Sequence, residues 1–419
     1  MSDFSAGTLL GKPASATQAG TLLGKPASGT YMISPDDEAA WSRWACEWQI
    51  RPDTIYLNHG SFGPPPRAVR EARQAWQAKL DQQPMDFLFR QLEPAWFAAR
   101  ARLAQFVGAS ANDLIFVENA TVGMNIIADA FPLAAGDEVL LTDHEYGAVV
   151  RIWNRACEKA GASVRTAGLP LPFTTAADVV SSVMDATSER TRLIVVSHIT
   201  SPTAVILPVK GICQAARQRG IAVAIDGPHA LAQTDVAIDA LGCDFYTASC
   251  HKWLSAPFGS GFLHVAPRHQ AHIRPPTLSW GRLPPQAPQS WSDEFLWSGT
   301  RDYSAYLSIP AAIDFIEGVG LENFRLRTHA LAQYARQRIV ELTGLEPIVP
   351  DSREWYGCMA HMSLPAGDRQ SLQDGLWRQH GIEVPIVDWN GRRFVRVSCH
   401  LYNNAAQIDA LVTALKDLL

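Results

Sequence analysis

Between residues 56 and 265, six short apolar runs are separated by amphipathic stretches. The runs are "DLIFV" (113–117), "EVLLT" (138–142), "RLIVVS" (192–197), "IAVAI" (221–225), "DFYTA" (244–248) and "GFLHV" (261–265). Stretches such as "AVVRIWNRACEKAG" and "VKGICQAARQRG" carry the helical period between them. Short apolar runs alternating with helices imply an α/β fold, with a large, mostly parallel sheet covered by helices on both faces. After the proline-rich connection "RPPTLSWGRLPPQAPQS" the pattern changes. A long amphipathic helix is predicted from about Leu321 to Leu342. Beyond it, "GCMAHMSL", "IEVPIV" and "FVRVSC" alternate with helices in a smaller C-terminal α+β domain. The expected division is a leader over 1–33, a large domain over 34–315 and a small domain over 316–419.

The leader holds a direct repeat: "AGTLLGKPAS" at 6–15 returns at 19–28. It lacks the pattern of a secretory signal, and its glycine spacing does not match a phosphate loop. A net charge of −5 and the lack of a basic block argue against nucleic acid as a partner. No apolar run is long enough to span a bilayer. The seven cysteines are scattered, odd in number and form no CxxC pair. That pattern, with no HExxH, points away from a disulfide framework and from a protein metal site, toward a cytoplasmic enzyme.

Each strand-like run ends in polar residues. "ENATVGMN" (118–125) opens a helix with Asn and Thr at its cap, and a helix N-terminus can hold a phosphate as well as simply being capped. "TDHEYGAVV" offers His144 or Tyr146 as an aromatic plate, and "SHITSPT" (197–203) closes the next run with four hydroxyl residues. Asp226 leaves an apolar strand in "IDGPHALAQ", where a carboxylate is costly without a cation. "SCHKW" places Lys252 at the end of the fifth run. Phosphate donors, an aromatic plate, a carboxylate and a lysine are what pyridoxal 5′-phosphate requires. The lysine forms a Schiff base with it, and the carboxylate keeps the ring nitrogen protonated.

In these motifs, from "YLNHGSFGPPP" (56–66) to "RVSCHLYNN" (396–404), the chain resembles the class V aminotransferase family of fold-type-I pyridoxal-phosphate enzymes, within it the isopenicillin-N-epimerase-like branch. The resemblance implies that Ala120 and Thr121 bind the cofactor phosphate, joined by Ser249 and His251. It implies that Asp226 pairs with the ring nitrogen, that His229 and Ser201 lie near the ring hydroxyl, and that Tyr146 stacks on the ring, with His144 as second choice. Gly299 and Thr300 match a segment that reaches the phosphate from a neighbouring subunit, implying a homodimer. Arg396 matches the arginine that grips a substrate α-carboxylate. Asn58 and His59 are expected to line the substrate entrance. Cysteine desulfurases of the family carry a nucleophilic cysteine shortly before the matching arginine, and "RQHGIEVPIVDWNGRRFV" has none. The implied activity on a small amino acid is epimerisation or racemisation, with Lys252 removing the Cα proton. A carbon–sulfur β-lyase and an aminotransferase are the alternatives. A binding scaffold without activity is disfavoured because Lys252, Asp226 and Arg396 are all retained.

Overall fold

The predicted strands assemble into a seven-stranded sheet in a computed structural model that describes residues 32–282 and 287–419. Its strands are β2 (Leu114–Val117), β3 (Glu138–Thr142), β4 (Ser163–Ala167), β5 (Thr191–Ser197), β6 (Ala222–Asp226), β7 (Phe245–Ser249) and β8 (Gly261–Val265); a short β1 (Ile55–Tyr56) precedes them. The spatial order is β2-β8-β7-β6-β5-β3-β4. From β7 to β4 every pairing is parallel, whereas β8 runs antiparallel to both β7 and β2. Parallel neighbours need a crossover, but antiparallel ones can be joined by a short connection. The segment between β7 and β8 is such a connection, and it carries Lys252.

Alternation along each strand divides the core. Leu140, Ile194, Val196, Val223, Ile225 and Tyr246 pack on one face, while Val139, Leu141, Leu193, Val195, Ala224 and Phe245 pack on the other. The first of these cores continues into the C-terminal part. There β9 (Met359–Leu364), β11 (Ile386–Trp389) and β12 (Arg392–Ser398) form an antiparallel sheet in the order β11-β12-β9. The predicted long helix is present as Leu321–Thr343. "IEVPIV" is broken at Pro385 into β10 (Ile382–Glu383) and β11.

Packing from Ile33 onward forms one compact unit. Ile33, placed in the leader on sequence grounds, is buried, and its amide donates to Asn323 Oδ1. The leader's repeat lies outside the described residues. The boundary expected at 315/316 falls inside the helix Ile309–Val319. β1 pairs in parallel with β10, and Asn58 bridges to Ser398. These contacts lay residues 58–64 beside the Lys252 loop. A Cβ at Gly63 would come 2.5 Å from both the Lys252 carbonyl oxygen and His59 Nε2, so only glycine fits there.

Candidate active site

The carboxyl ends of β3, β5, β6 and β7 open onto a cavity of about 670 Å³, the edge where open α/β sheets bind ligands. Ala120, Thr121, Tyr146, Ser201, Asp226, His229, Ser249, His251, Lys252 and Arg396 all line it. Residues from five separate strand ends are thereby brought to one place.

The helix Ala120–Ala130 starts at the cavity wall. Asn119 caps it by accepting the Val122 amide, and the Ala120 amide donates to Ser249 Oγ at 3.0 Å. Thr121 lies at the second helical position, where an amide has no intrahelical partner. This end of the helix therefore offers donors and a positive dipole to an anion.

Asp226 is buried at the end of β6, and nothing among the described residues hydrogen-bonds its carboxylate. Burial pushes its pKa up to about 7, and the negative Glu145 adds to the rise, while Lys252 opposes it. Glu145 is itself held between three donors: Ser197 Oγ at 2.6 Å, the Ser197 amide at 3.1 Å and Thr142 Oγ1 at 2.7 Å. A buried carboxylate in this setting calls for a cation.

Lys252 Nζ lies 3.1 Å from His229 Nε2. Trp253 Nε1–H donates to His229 Nδ1 at 3.2 Å, so a neutral His229 carries its proton on Nε2 and donates to the lysine nitrogen. Burial and the coulombic effect of Lys252 keep His229 well below the usual histidine range. Burial, followed by the like charge of Arg396, lowers Lys252 to about 8, with Asp226 acting the other way. The lysine thus gives up its proton more readily than an ordinary lysine, and it is the neutral amine that accepts from His229.

Arg396 rises from β12 to the cavity. Its Nη1 donates to the Ser201 carbonyl at 2.6 Å and its Nη2 to Ser61 Oγ at 2.8 Å. Burial lowers its pKa to about 10, which still leaves a cation at neutral pH. Its Nε and His251 Nδ1 are buried without partners among the described residues.

Two expected entrance residues lie elsewhere. His59 is fully buried beneath the cavity: Nε2–H donates to the Lys252 carbonyl at 3.0 Å, and Nδ1 accepts from the Tyr402 hydroxyl at 2.9 Å. It braces the lysine loop, where Ser255, stacked His400 and Gly63 also pack. Asn58 lines a neighbouring cavity. Gly299 and Thr300 line another, with Arg301 and Tyr306. His144 is buried against Trp389, and it is Tyr146 that reaches the cavity. Sequence reasoning passed over Glu145, Ser61 and Ser197. All three stood inside quoted motifs, but only the fold shows that Ser61 meets Arg396 and that Glu145 and Ser197 lie beside Asp226 and each other.

A family model for class V aminotransferases matches residues 79–411. The chain belongs to the aminotransferase class V family. It is 39% identical over 393 residues to an isopenicillin N epimerase of Amycolatopsis lactamdurans, covering 90% of this chain and 98% of that protein. It is 35% identical to an isopenicillin N epimerase of Streptomyces clavuligerus, covering 91% and 98%. A putative L-cysteine desulfhydrase of Oryza sativa subsp. japonica is 31% identical over 86% of this chain and 82% of its own. Among solved structures, the cysteine desulfurase CsdA of Escherichia coli superposes with a TM-score of 0.76 at 20% identity, covering 93% of this chain and 99% of that one. That likeness shows the fold-type-I architecture.

The protein is a pyridoxal-phosphate-dependent enzyme. The cavity fits this cofactor on its own chemistry: an uncompensated buried carboxylate suits the ring cation, a capped helix start suits the phosphate, and a depressed lysine suits the aldehyde. Among the described residues no cysteine lines the cavity, and Cys399 is buried with its thiol pushed far up by desolvation. Among the described residues no helix is long and apolar enough to cross a membrane, and no group of three His, Cys, Asp or Glu is placed to hold a metal ion.

Proposed function

We propose that this enzyme inverts the configuration at Cα of an amino-acid substrate, acting as an epimerase or racemase with Lys252 as the base. When bound, pyridoxal 5′-phosphate supplies an electron sink for the pair left at Cα. Ala120, Thr121, Ser249 and His251 would hold its phosphate, Asp226 its ring nitrogen, and His229 and Ser201 its hydroxyl, while Tyr146 would cover the ring. Arg396 fixes the substrate carboxylate and so aims Cα–H at Lys252. The observation that carries this reading is a lysine kept near pKa 8 and hydrogen-bonded by a neutral His229, in a cavity that holds no thiol. The two relatives named isopenicillin N epimerase support inversion over other outcomes.

Inversion needs a proton delivered on the face opposite Lys252. Tyr146 lines the cavity and is half exposed, whereas His59 is sealed beneath it, so Tyr146 takes this role. Tyr146→Phe is expected to keep Cα–H exchange of the L substrate while losing most of the inverted product. Equal losses of exchange and inversion would count against a second acid at this position.

A β-elimination reading is favoured by the relative named as an L-cysteine desulfhydrase. The same deprotonation would then expel a thiol or sulfide from Cβ, and water would hydrolyse the released enamine to ammonia and a keto acid. In either reading the enzyme works as a homodimer. Gly299, partly buried, and Thr300, exposed, lie outside their own chain's lysine cavity and would meet a partner's phosphate site. Seven free cysteines suit a cytoplasmic enzyme.

A further inference from the structure

Lys252 and Trp253 are neighbours in sequence, yet they reach opposite nitrogens of one imidazole. Lys252 Nζ stands 3.1 Å from His229 Nε2, and Trp253 Nε1 stands 3.2 Å from His229 Nδ1. The histidine is buried, and its carbonyl accepts from Gln233 Nε2 at 2.7 Å, while Gln233 Oε1 accepts the Cys358 amide at 2.8 Å. Trp253 is fully buried as well. His59 walls it, as does Gly60, where a Cβ would come 3.2 Å from the indole Cζ2. Both rings are held where they stand.

The two contacts differ in kind. An indole N–H donates and never accepts, so His229 Nδ1 has to be the acceptor and the proton of the neutral ring is left on Nε2. Burial and then the charge of Lys252 keep that ring neutral. A lysine ammonium only donates, so opposite an N–H it finds no acceptor, whereas the neutral amine finds a donor. Arg396, His251 and Asp226 are the other charged or titratable groups that act on this pair. Among the described residues, only Lys252 and Trp253 hydrogen-bond the ring itself.

We propose that Trp253 is a positioning residue: by occupying His229 Nδ1 it fixes the histidine as the Nε2–H tautomer, and that N–H favours the neutral form of Lys252 over the ammonium. Without the indole donor the proton is free to move to Nδ1, and Nε2 becomes an acceptor for a lysine ammonium. The inference rests on Lys252 as the base of the Cα reading, but the tautomer is read without turnover, so either can fail alone.

The test uses Trp253→Phe and, at the same position, benzothienylalanine, which keeps the bicyclic shape and lacks only the N–H. Nitrogen-15 spectra of histidine-labelled holoenzyme report the tautomer, with His229→Gln assigning the signals. In the wild type, Nδ1 is expected as an unprotonated and Nε2 as a protonated nitrogen; in both variants Nε2 should move toward the unprotonated range. The pH midpoint for capture of pyridoxal 5′-phosphate by the cofactor-free enzyme should rise by about one unit, a tenfold loss of neutral amine. In a His229→Gln background Trp253→Phe should add no shift. A wild-type Nδ1–H tautomer overturns the proposal. So does a benzothienylalanine variant with tautomer and midpoint unmoved, or a Trp253→Phe shift that is equal with and without His229. A wild type that shows the Nε2–H tautomer but exchanges no Cα proton of any amino acid overturns the Cα reading and leaves the role of Trp253 standing.

Discussion

Lys252 and Asp226 perturb each other, and each perturbation has a measurable direction. Lys252 is lowered to about 8 by burial and then by Arg396, so its neutral, nucleophilic form grows as pH rises through that value. Capture of pyridoxal 5′-phosphate by the cofactor-free enzyme should therefore accelerate with a midpoint near pH 8. Arg396→Gln removes one of the lowering causes and should move the midpoint up. A wild-type midpoint near the ordinary 10.5 would contradict the geometry. For Asp226 the folded-state pKa is raised to about 7 from 3.8, so the folded protein holds that proton more tightly than the unfolded chain. The stability cost of the carboxylate then grows as pH rises from about 4 through about 7. Cofactor-free Asp226→Asn should melt at or above the wild type at pH 8 and approach it near pH 4. Its turnover should fall about 10- to 100-fold or more, the scale of one charge-assisted hydrogen bond. Near-native turnover would remove the ring-nitrogen role. Lys252 and Asp226 stood out as candidates in the sequence because a charged group leaving an apolar run needs a reason, whereas Arg396, inside the run "FVRVSC", stood out only through the family resemblance. The work of His59 was not legible, since a histidine beside a turn reads alike whether it faces substrate or a backbone carbonyl.

The helix Ala120–Ala130 shows how an element sets a site. A Cβ at Gly123 would sit 2.0 Å from Thr247 Oγ1 on β7, so the glycine lets the helix lie against the sheet with its first amides at the cavity. Gly123→Ala should push that helix outward, cost about 1–3 kcal/mol of stability and weaken cofactor affinity. Adding Thr247→Ala should recover part of both losses, as coupled neighbours do. Melting temperature and cofactor titration of the two variants check this; an additive double mutant would argue against the contact. Six of the seven strands of the large sheet lie within a residue of their apolar runs, because buried strands are apolar on both faces. β4 (Ser163–Ala167) escaped notice: it is an edge strand, mostly exposed, and "SVRTA" has no apolar run. The antiparallel direction of β8 was also illegible, because strand patterns carry no sense of direction.

At the scale of the whole molecule, the site depends on distant parts of the chain. β1 pairs with β10, and Arg396 of the C-terminal sheet completes a cavity whose other walls come from the strand ends of the large sheet and from residues 60–62. The alternation of runs foretold two sheets, but not that a single core passes through both, nor that the helix Ile309–Val319 would span the expected boundary. Hydrophobic pattern marks what is buried and leaves open which buried faces meet. The central claim, that this assembly removes and returns a proton at Cα, is tested most directly by turnover in deuterated water. A single amino-acid substrate is followed by mass and by chirality. The account predicts one deuterium at Cα together with accumulation of the inverted isomer, without ammonia or keto acid. Stoichiometric ammonia and keto acid with no inverted product would contradict it.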